Sequence, residues 1–196
     1  MPEDKMITEQ VDLRKYRNEP EIKAQEINKR RSGLLSMGFG QSWIDSLQES
    51  RPTLYAPEVV RGHIDGLSQR GFTNPNKMIE SLPAILGYAF ENIDAKLEGL
   101  RQRGFSNPHK MIESLPAILG LAFENIDAKL EGLRQRGFSN PHKMIESSPA
   151  ILGLAFENID AKLEGLRQRG FTNPHKMIES LPAILGLAFE NIDAKL

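Results

Sequence analysis

The eight residues ESLPAILG at 80–87 occur again at 113–120 and 179–186, and residues 146–153 read ESSPAILG. A proline inside a helix-forming stretch ends that helix, because it has no amide hydrogen to donate and its ring clashes with the preceding turn. Proline is also favoured in the first turn of a new helical segment. The octapeptide therefore predicts a junction between two helices, and its recurrence predicts a protein built from repeats.

The octapeptide lies within a repeat of 33 residues, which Phe72, Phe105, Phe138 and Phe171 mark at equal intervals. The predicted repeats are 72–104, 105–137, 138–170 and a shorter one at 171–196. The predicted segments before them are a flexible, charged N-terminal segment at 1–19, a capping helix at 20–37 and a degenerate capping repeat at 38–71.

The sequence of each repeat predicts a short helix, a 3₁₀-like turn and a long helix. In 105–137, Asn107 is a good N-cap and Pro108 suits the first helical position. The long helix covers approximately 122–136 and ends at Gly137, a residue that readily adopts the left-handed conformation. Because one repeat cannot bury its apolar face alone, the repeats are expected to stack into an all-α, right-handed or curved α-solenoid.

The composition and net charge of the chain exclude several kinds of function. The chain has 25 Lys and Arg against 26 Asp and Glu, so its net charge does not attract nucleic acid or anionic lipid. The absence of cysteine excludes disulfides and thiolate metal sites and fits an intracellular, reducing compartment. No targeting peptide is recognisable, and no apolar run reaches the length of a membrane span. The localisation is otherwise unknown.

The order of motifs resembles a known family. A G-F-[ST] start, the LPAILG junction, the ENIDAKLEGL helix and the next G-F are similar to the repeat of the mitochondrial transcription termination factor (mTERF) family over 38–196. The resemblance implies two α-helices and a 3₁₀ helix per repeat. It also implies nucleic-acid binding along a concave side, mainly through backbone contacts, and a role in transcription regulation.

A weaker likeness is to the repeats of TAL-effector-like DNA-binding proteins. These repeats read one base each from a residue in the loop between their helices. The corresponding position in this chain varies between leucine and serine, so it is a candidate for contact with a base or a protein partner. The positions are Leu82, Leu115, Ser148 and Leu181. A partly buried packing role for these side chains is the other interpretation.

The long helices carry cations on one flank of the apolar stripe and carboxylates on the other. Parallel stacking would align the cations into one ribbon able to contact phosphates, in DNA rather than RNA by preference. This cation ribbon comprises Lys96, Arg103, Lys129, Arg136, Lys162, Arg169 and Lys195. The alternative is an ordinary solvated helix face.

Two further features of the repeat are the recurring histidines and a pair of small residues in the long helix. His109, His142 and His175 recur at one position in the short helices, where they are exposed helix-start residues or nucleic-acid contacts. No second ligand converges on them, so no metal site is predicted. Ala128 and Gly132 are small residues expected to allow close packing of a neighbouring helix.

No catalytic motif is recognisable, so we predict neither an enzyme nor a cofactor. Nucleic-acid binding is the first hypothesis, and a protein-interaction scaffold that grips a peptide or helix is the rival. The chain ends at Leu196 inside the last long helix, without a polar cap, so we expect either a fragment of a longer repeat array or end-to-end self-association through this repeat.

Overall fold

The computed structural model describes residues 19–50 and 56–193. Most of the predicted flexible segment 1–19 lies outside these residues, as does Lys195 of the cation ribbon. The chain divides into two compact units, Met1–Arg61 and Gly62–Leu196. This division falls within the predicted degenerate repeat at 38–71, so the existence of that repeat as a single unit stays a prediction.

The first unit contains α1 (Glu19–Ser36), α2 (Gln41–Ser50) and the beginning of α3 (Pro57–Gln69). Its core includes the buried side chains of Leu34, Phe39, Ile44 and Leu47. Trp43 is half-buried and stacks on Phe39, with 4.3 Å between ring centroids.

The second unit repeats three elements in a fixed order. The short helices are α4 (Pro75–Ser81), α6 (Pro108–Ser114), α8 (Pro141–Ser147) and α10 (Pro174–Ser180). The 3₁₀ helices are η1 (Pro83–Gly87), η2 (Pro116–Gly120), η3 (Pro149–Gly153) and η4 (Pro182–Gly186). The long helices are α5 (Phe90–Gln102), α7 (Phe123–Gln135), α9 (Phe156–Gln168) and α11 (Phe189–Asp193).

The junction between short and long helix forms as the sequence predicts. The side chain of Asn107 accepts a hydrogen bond from the Lys110 amide at 3.1 Å and so caps α6. At the other end Leu115 leaves the helical conformation, with φ −141° and ψ 83°, and Pro116 begins η2. The proline therefore separates two helical segments without leaving a helical amide unpaired.

The long helices α5, α7 and α9 each end at a glycine in the left-handed conformation. Gly137 has φ 86°, and the Phe138 amide after it donates to the Leu133 carbonyl at 3.2 Å. This geometry satisfies the last carbonyls of the helix and turns the chain into the next repeat. The same backbone conformation occurs at Gly71, Gly104 and Gly170.

The repeats of the second unit stack through both of their helices. Short helices of neighbouring repeats contact each other directly, and each complete long helix contacts the next short helix and the next 3₁₀ helix. In the repeat at 105–137, Met111, Ile112, Ile118, Ile126 and Leu133 are buried. The described residues contain no strand, and the predicted all-α solenoid of helix–3₁₀–helix repeats is confirmed.

A phenylalanine joins each long helix to the one before it. A Cβ added at Gly132 would lie 2.1 Å from Cζ of Phe156, at the start of the next long helix. Only a hydrogen atom at this position allows the ring to approach so closely. The same arrangement pairs Gly66 with Phe90, Gly99 with Phe123 and Gly165 with Phe189. The prediction that Gly132 allows close packing is confirmed, whereas Ala128 is exposed and does not share that role.

Two glycines four residues apart in α3 provide a matched test. We expect Gly66→Ala to lower the free energy of unfolding by about 1–3 kcal/mol, because the new methyl group must displace the Phe90 ring. Gly62→Ala meets nothing within 4 Å and should stabilise the helix by up to about 1 kcal/mol. Urea unfolding of the two variants measures the difference, and equal stabilities would contradict the packing described.

Candidate nucleic-acid interface

The lysines predicted to form the cation ribbon lie between repeats. Lys129 is only 7% exposed, and its ammonium group donates to the carbonyl of Leu154 in the next repeat. The same Nζ lies 4.3 Å from the centroid of the Phe156 ring. Lys96 and Lys162 make equivalent contacts with the following repeat.

This burial changes the electrostatics of the lysines. Desolvation lowers the pKa of Lys129, and the nearby charge of Arg136 lowers it further. An ammonium group in this position cannot contact a phosphate unless it leaves its carbonyl and its aromatic ring. The prediction that Lys96, Lys129 and Lys162 form an exposed ribbon is therefore wrong, because these side chains fill the contact between repeats.

The arginines of the ribbon pair with carboxylates of the next repeat. Arg136 donates Nε and Nη2 to the two carboxylate oxygens of Asp160 at 2.7 and 2.8 Å. Its third nitrogen, Nη1, donates to the Gly132 carbonyl at 3.1 Å, and Cζ lies 4.2 Å from the Phe156 ring centroid. Arg70, Arg103 and Arg169 repeat this arrangement. A phosphate-binding role for Arg103, Arg136 and Arg169 stays a prediction.

The recurring histidines also connect repeats. Nε2 of His142 lies 2.9 Å from the carbonyl oxygen of Arg103, and its ring centroid is 5.2 Å from that of Phe105. His109 and His175 make the same contacts with the repeats before them. These residues are half-buried, so the interpretation as exposed helix-start residues is wrong.

A carboxylate of each of the short helices α6, α8 and α10 accepts hydrogen bonds from the loop of the preceding repeat. Glu146 accepts hydrogen bonds from the Ser106 hydroxyl at 2.8 Å and from the Asn107 amide at 3.2 Å. Glu113 and Glu179 contact the loops at Thr73 and Ser139 in the same way. Burial alone would raise the pKa of Glu179, but its hydrogen bonds from Ser139 and Asn140 outweigh this effect and lower it.

Comparison with known protein families agrees with this geometry. The mTERF family model matches residues 4–137 and 109–196, two overlapping segments that together cover nearly the whole chain. The chain belongs to the mTERF family. A comparison with curated proteins finds no significant match.

The variable position of the mTERF repeat borders an apolar cleft. Leu115 lines it together with Leu121 and Leu152, and the cleft has a volume of about 320 Å³. Leu82, Leu115 and Ser148 are half-buried, whereas Leu181 is 54% exposed. The partly buried interpretation fits the first three positions, and their role in contacting a base or partner stays a prediction.

A second set of cations remains at the surface of this mTERF protein. These side chains form the short-helix lysine row, which comprises Lys77, Lys110, Lys143 and Lys176. All four are exposed, and their ammonium groups have no ion pair or hydrogen bond with any described residue. These lysines are not among the residues that the sequence pattern predicted as a site, although their period of 33 residues is visible in the sequence.

The described part of the chain offers neither a metal-binding cluster nor a membrane-spanning helix. Residues 19–50 and 56–193 contain no group of three or more histidine, aspartate or glutamate side chains placed to hold a metal. Among the same residues, no helix combines the length and apolar character needed to cross a bilayer.

The lysine contact between repeats can be tested by truncation. Lys129→Ala removes a charged hydrogen bond and leaves the Leu154 carbonyl without this donor, so we expect a loss of about 1–3 kcal/mol in the free energy of unfolding. The control is Lys143→Ala, at an exposed position, which should change stability by less than about 0.5 kcal/mol. Similar urea midpoints for the two variants would show that the buried lysine does not stabilise the array.

The carboxylate pairs predict loss of stability in acid. The hydrogen bond from Arg136 lowers the pKa of Asp160, and that from Arg169 lowers the pKa of Asp193. Because the folded state favours the ionised form, these pairs stabilise the array above the ordinary aspartate pKa of about 4, and this contribution is lost as the pH falls through the lower folded-state values.

We therefore expect the stability difference between wild type and Arg136→Gln to shrink as the pH decreases below about 4, because protonated Asp160 no longer distinguishes the two. Urea unfolding between pH 7 and pH 3 gives this difference. A difference that stays constant over that range would contradict the assigned ion pair.

Proposed function

We propose that this chain is a non-enzymatic mTERF-type protein that binds nucleic acid, double-stranded DNA in preference, through its sugar–phosphate backbone. The observation that carries the proposal is the family match along nearly the whole chain. The stacked repeats support it, because they present the same exposed side chains at regular intervals to a ligand that is itself periodic.

Contacts of this kind position a protein on DNA without reading its sequence. The repeats at 105–137 and 138–170 differ only at the variable position, where Leu115 is replaced by Ser148. The side chains offered to a ligand are therefore nearly the same from one repeat to the next. Low sequence selectivity is expected, and TAL-effector-like reading of one base per repeat is disfavoured.

The cleft beside Leu115 favours a second candidate function. Its lining is almost entirely apolar and includes Ala117, Ile118 and Ala150. An apolar side chain of a peptide or helix would fit such a surface better than a phosphate would. On this alternative the array is a scaffold for protein interaction.

A salt titration separates the two functions. We expect fluorescent duplex DNA to bind with an affinity that falls steeply between 50 and 200 mM salt, because each neutralised phosphate contributes about −0.9 to the slope of log K against log salt concentration. Single-stranded DNA and RNA of the same length serve as comparison ligands. Tighter binding of either comparison ligand would change the preferred nucleic acid, and the absence of binding to all three would contradict the proposal.

A further inference from the structure

Contacts between repeats and ion pairs within helices engage most cations of a repeat. In the repeat at 105–137, Lys129 and Arg136 are engaged with the next repeat, and Arg134 lies 3.5 Å from Glu131 on its own helix. Lys110 has no such partner among the described residues and is exposed. The phosphate contact should therefore be sought on the short helix rather than on the long one.

For three lysines of the row, Lys110, Lys143 and Lys176, the carboxylate that follows three residues later is directed elsewhere. Glu113 is three residues after Lys110, yet its carboxylate accepts hydrogen bonds from Thr73 in the preceding repeat. Glu146 and Glu179 are held in the same manner by Ser106 and Ser139. Three lysines of the row therefore keep their charge unpaired while the neighbouring carboxylates stabilise the stack.

The exposed face of each long helix, in contrast, carries both positive and negative side chains. Glu124 is exposed in the first turn of α7, and Glu131 and Arg134 form an ion pair farther along it. An approaching phosphate would meet a carboxylate as readily as a guanidinium on this face. The short helices are therefore better suited to contact a polyanion.

The packing of the short helices sets the interval between neighbouring lysines of the row. The short helices pack against one another, and packed helices have axes about 8–10 Å apart. The rise per base pair along the axis of a duplex is about 3.4 Å. Successive short helices are therefore separated by about three base pairs of rise along a duplex axis.

We propose that the short-helix lysine row is the phosphate-contacting surface of this protein. The proposal rests on the proposed nucleic-acid function and adds the residues that perform it. The ligand is a sugar–phosphate backbone, whose charges the lysine ammonium groups neutralise without contacting the bases.

Two triple variants with equal net charge test the proposal. In the first, Lys110, Lys143 and Lys176 are all changed to glutamine. In the second, Arg101, Arg134 and Arg167 are all changed to glutamine, which removes three exposed cations of the long helices instead. Binding of a fluorescent duplex is measured for both variants and wild type over a series of salt concentrations, after circular dichroism and urea unfolding have shown that all three are folded.

For the lysine variant we expect at least tenfold weaker binding at low salt. Its log–log salt slope should be smaller in magnitude by about 2–3, because up to three phosphate contacts are lost. The arginine variant should retain the wild-type slope. The loss should also be the same for duplexes of different sequence, as expected when only the backbone is contacted.

The other outcomes distinguish this inference from the proposed function. Wild-type binding together with equal slopes for the two triple variants would overturn the lysine row and leave the nucleic-acid function in place. A larger loss of duplex affinity in the arginine variant would show that the long helices contact the phosphates. That result would also contradict the proposal for the lysine row. If wild type binds no duplex, both proposals are wrong.

Discussion

The second compact unit depends on the position of one phenylalanine per repeat. Phe156 lies over the backbone of Gly132, and two cations of the same preceding helix, Lys129 and Arg136, lie within 4.3 Å of its ring centroid. A cation over an aromatic face contributes about 0.5–2 kcal/mol, depending on how far it is desolvated. Asp160, one turn after Phe156, then neutralises the arginine. Packing, cation–π attraction and ion pairing thus act at one point of contact.

This contact explains why the repeats are so nearly identical. Each repeat supplies the glycine, lysine and arginine to the repeat after it and receives the phenylalanine ring and the aspartate in return. A change at one of these positions therefore weakens a contact between two repeats. The beginning of the array shows one tolerated variation, because Gly66 and Arg70 are present in α3 while His63 lies beside Phe90 at the position of the lysine.

The elements of a single repeat could be predicted from its sequence, because the signals that determine them are local. Pro116 marks the junction, Asn107 caps the short helix and Gly137 ends the long one. Contacts between repeats were harder to predict from the sequence. Glu146 and Ser106 are 40 residues apart, and neither local propensity nor periodicity indicates that they meet.

Three lysines of the cation ribbon, Lys96, Lys129 and Lys162, show how a sequence pattern led to an incorrect expectation of exposure. In the repeat at 105–137, Lys129 and Arg136 face the next repeat, whereas Asp127 faces the repeat before it. In parallel stacking, the positive flank of one helix faces the negative flank of the next, so Arg136 meets Asp160 instead of an external anion. Both the arginine and the aspartate are visible in the sequence. Only the stacking of the repeats shows that they pair with each other and not with an external ion. The short-helix lysine row, which the stacking leaves unpaired, is therefore the surface that we propose for nucleic-acid contact.

The central claim is that neighbouring repeats are coupled through the cations around the phenylalanine ring. A double-mutant cycle on Arg136→Gln and Phe156→Leu, measured by urea unfolding, tests it most directly. The interactions described predict a coupling energy of about 0.5–2 kcal/mol between the two changes. Strictly additive effects would contradict the claim and would leave the arginine with its hydrogen bonds to Asp160 and Gly132.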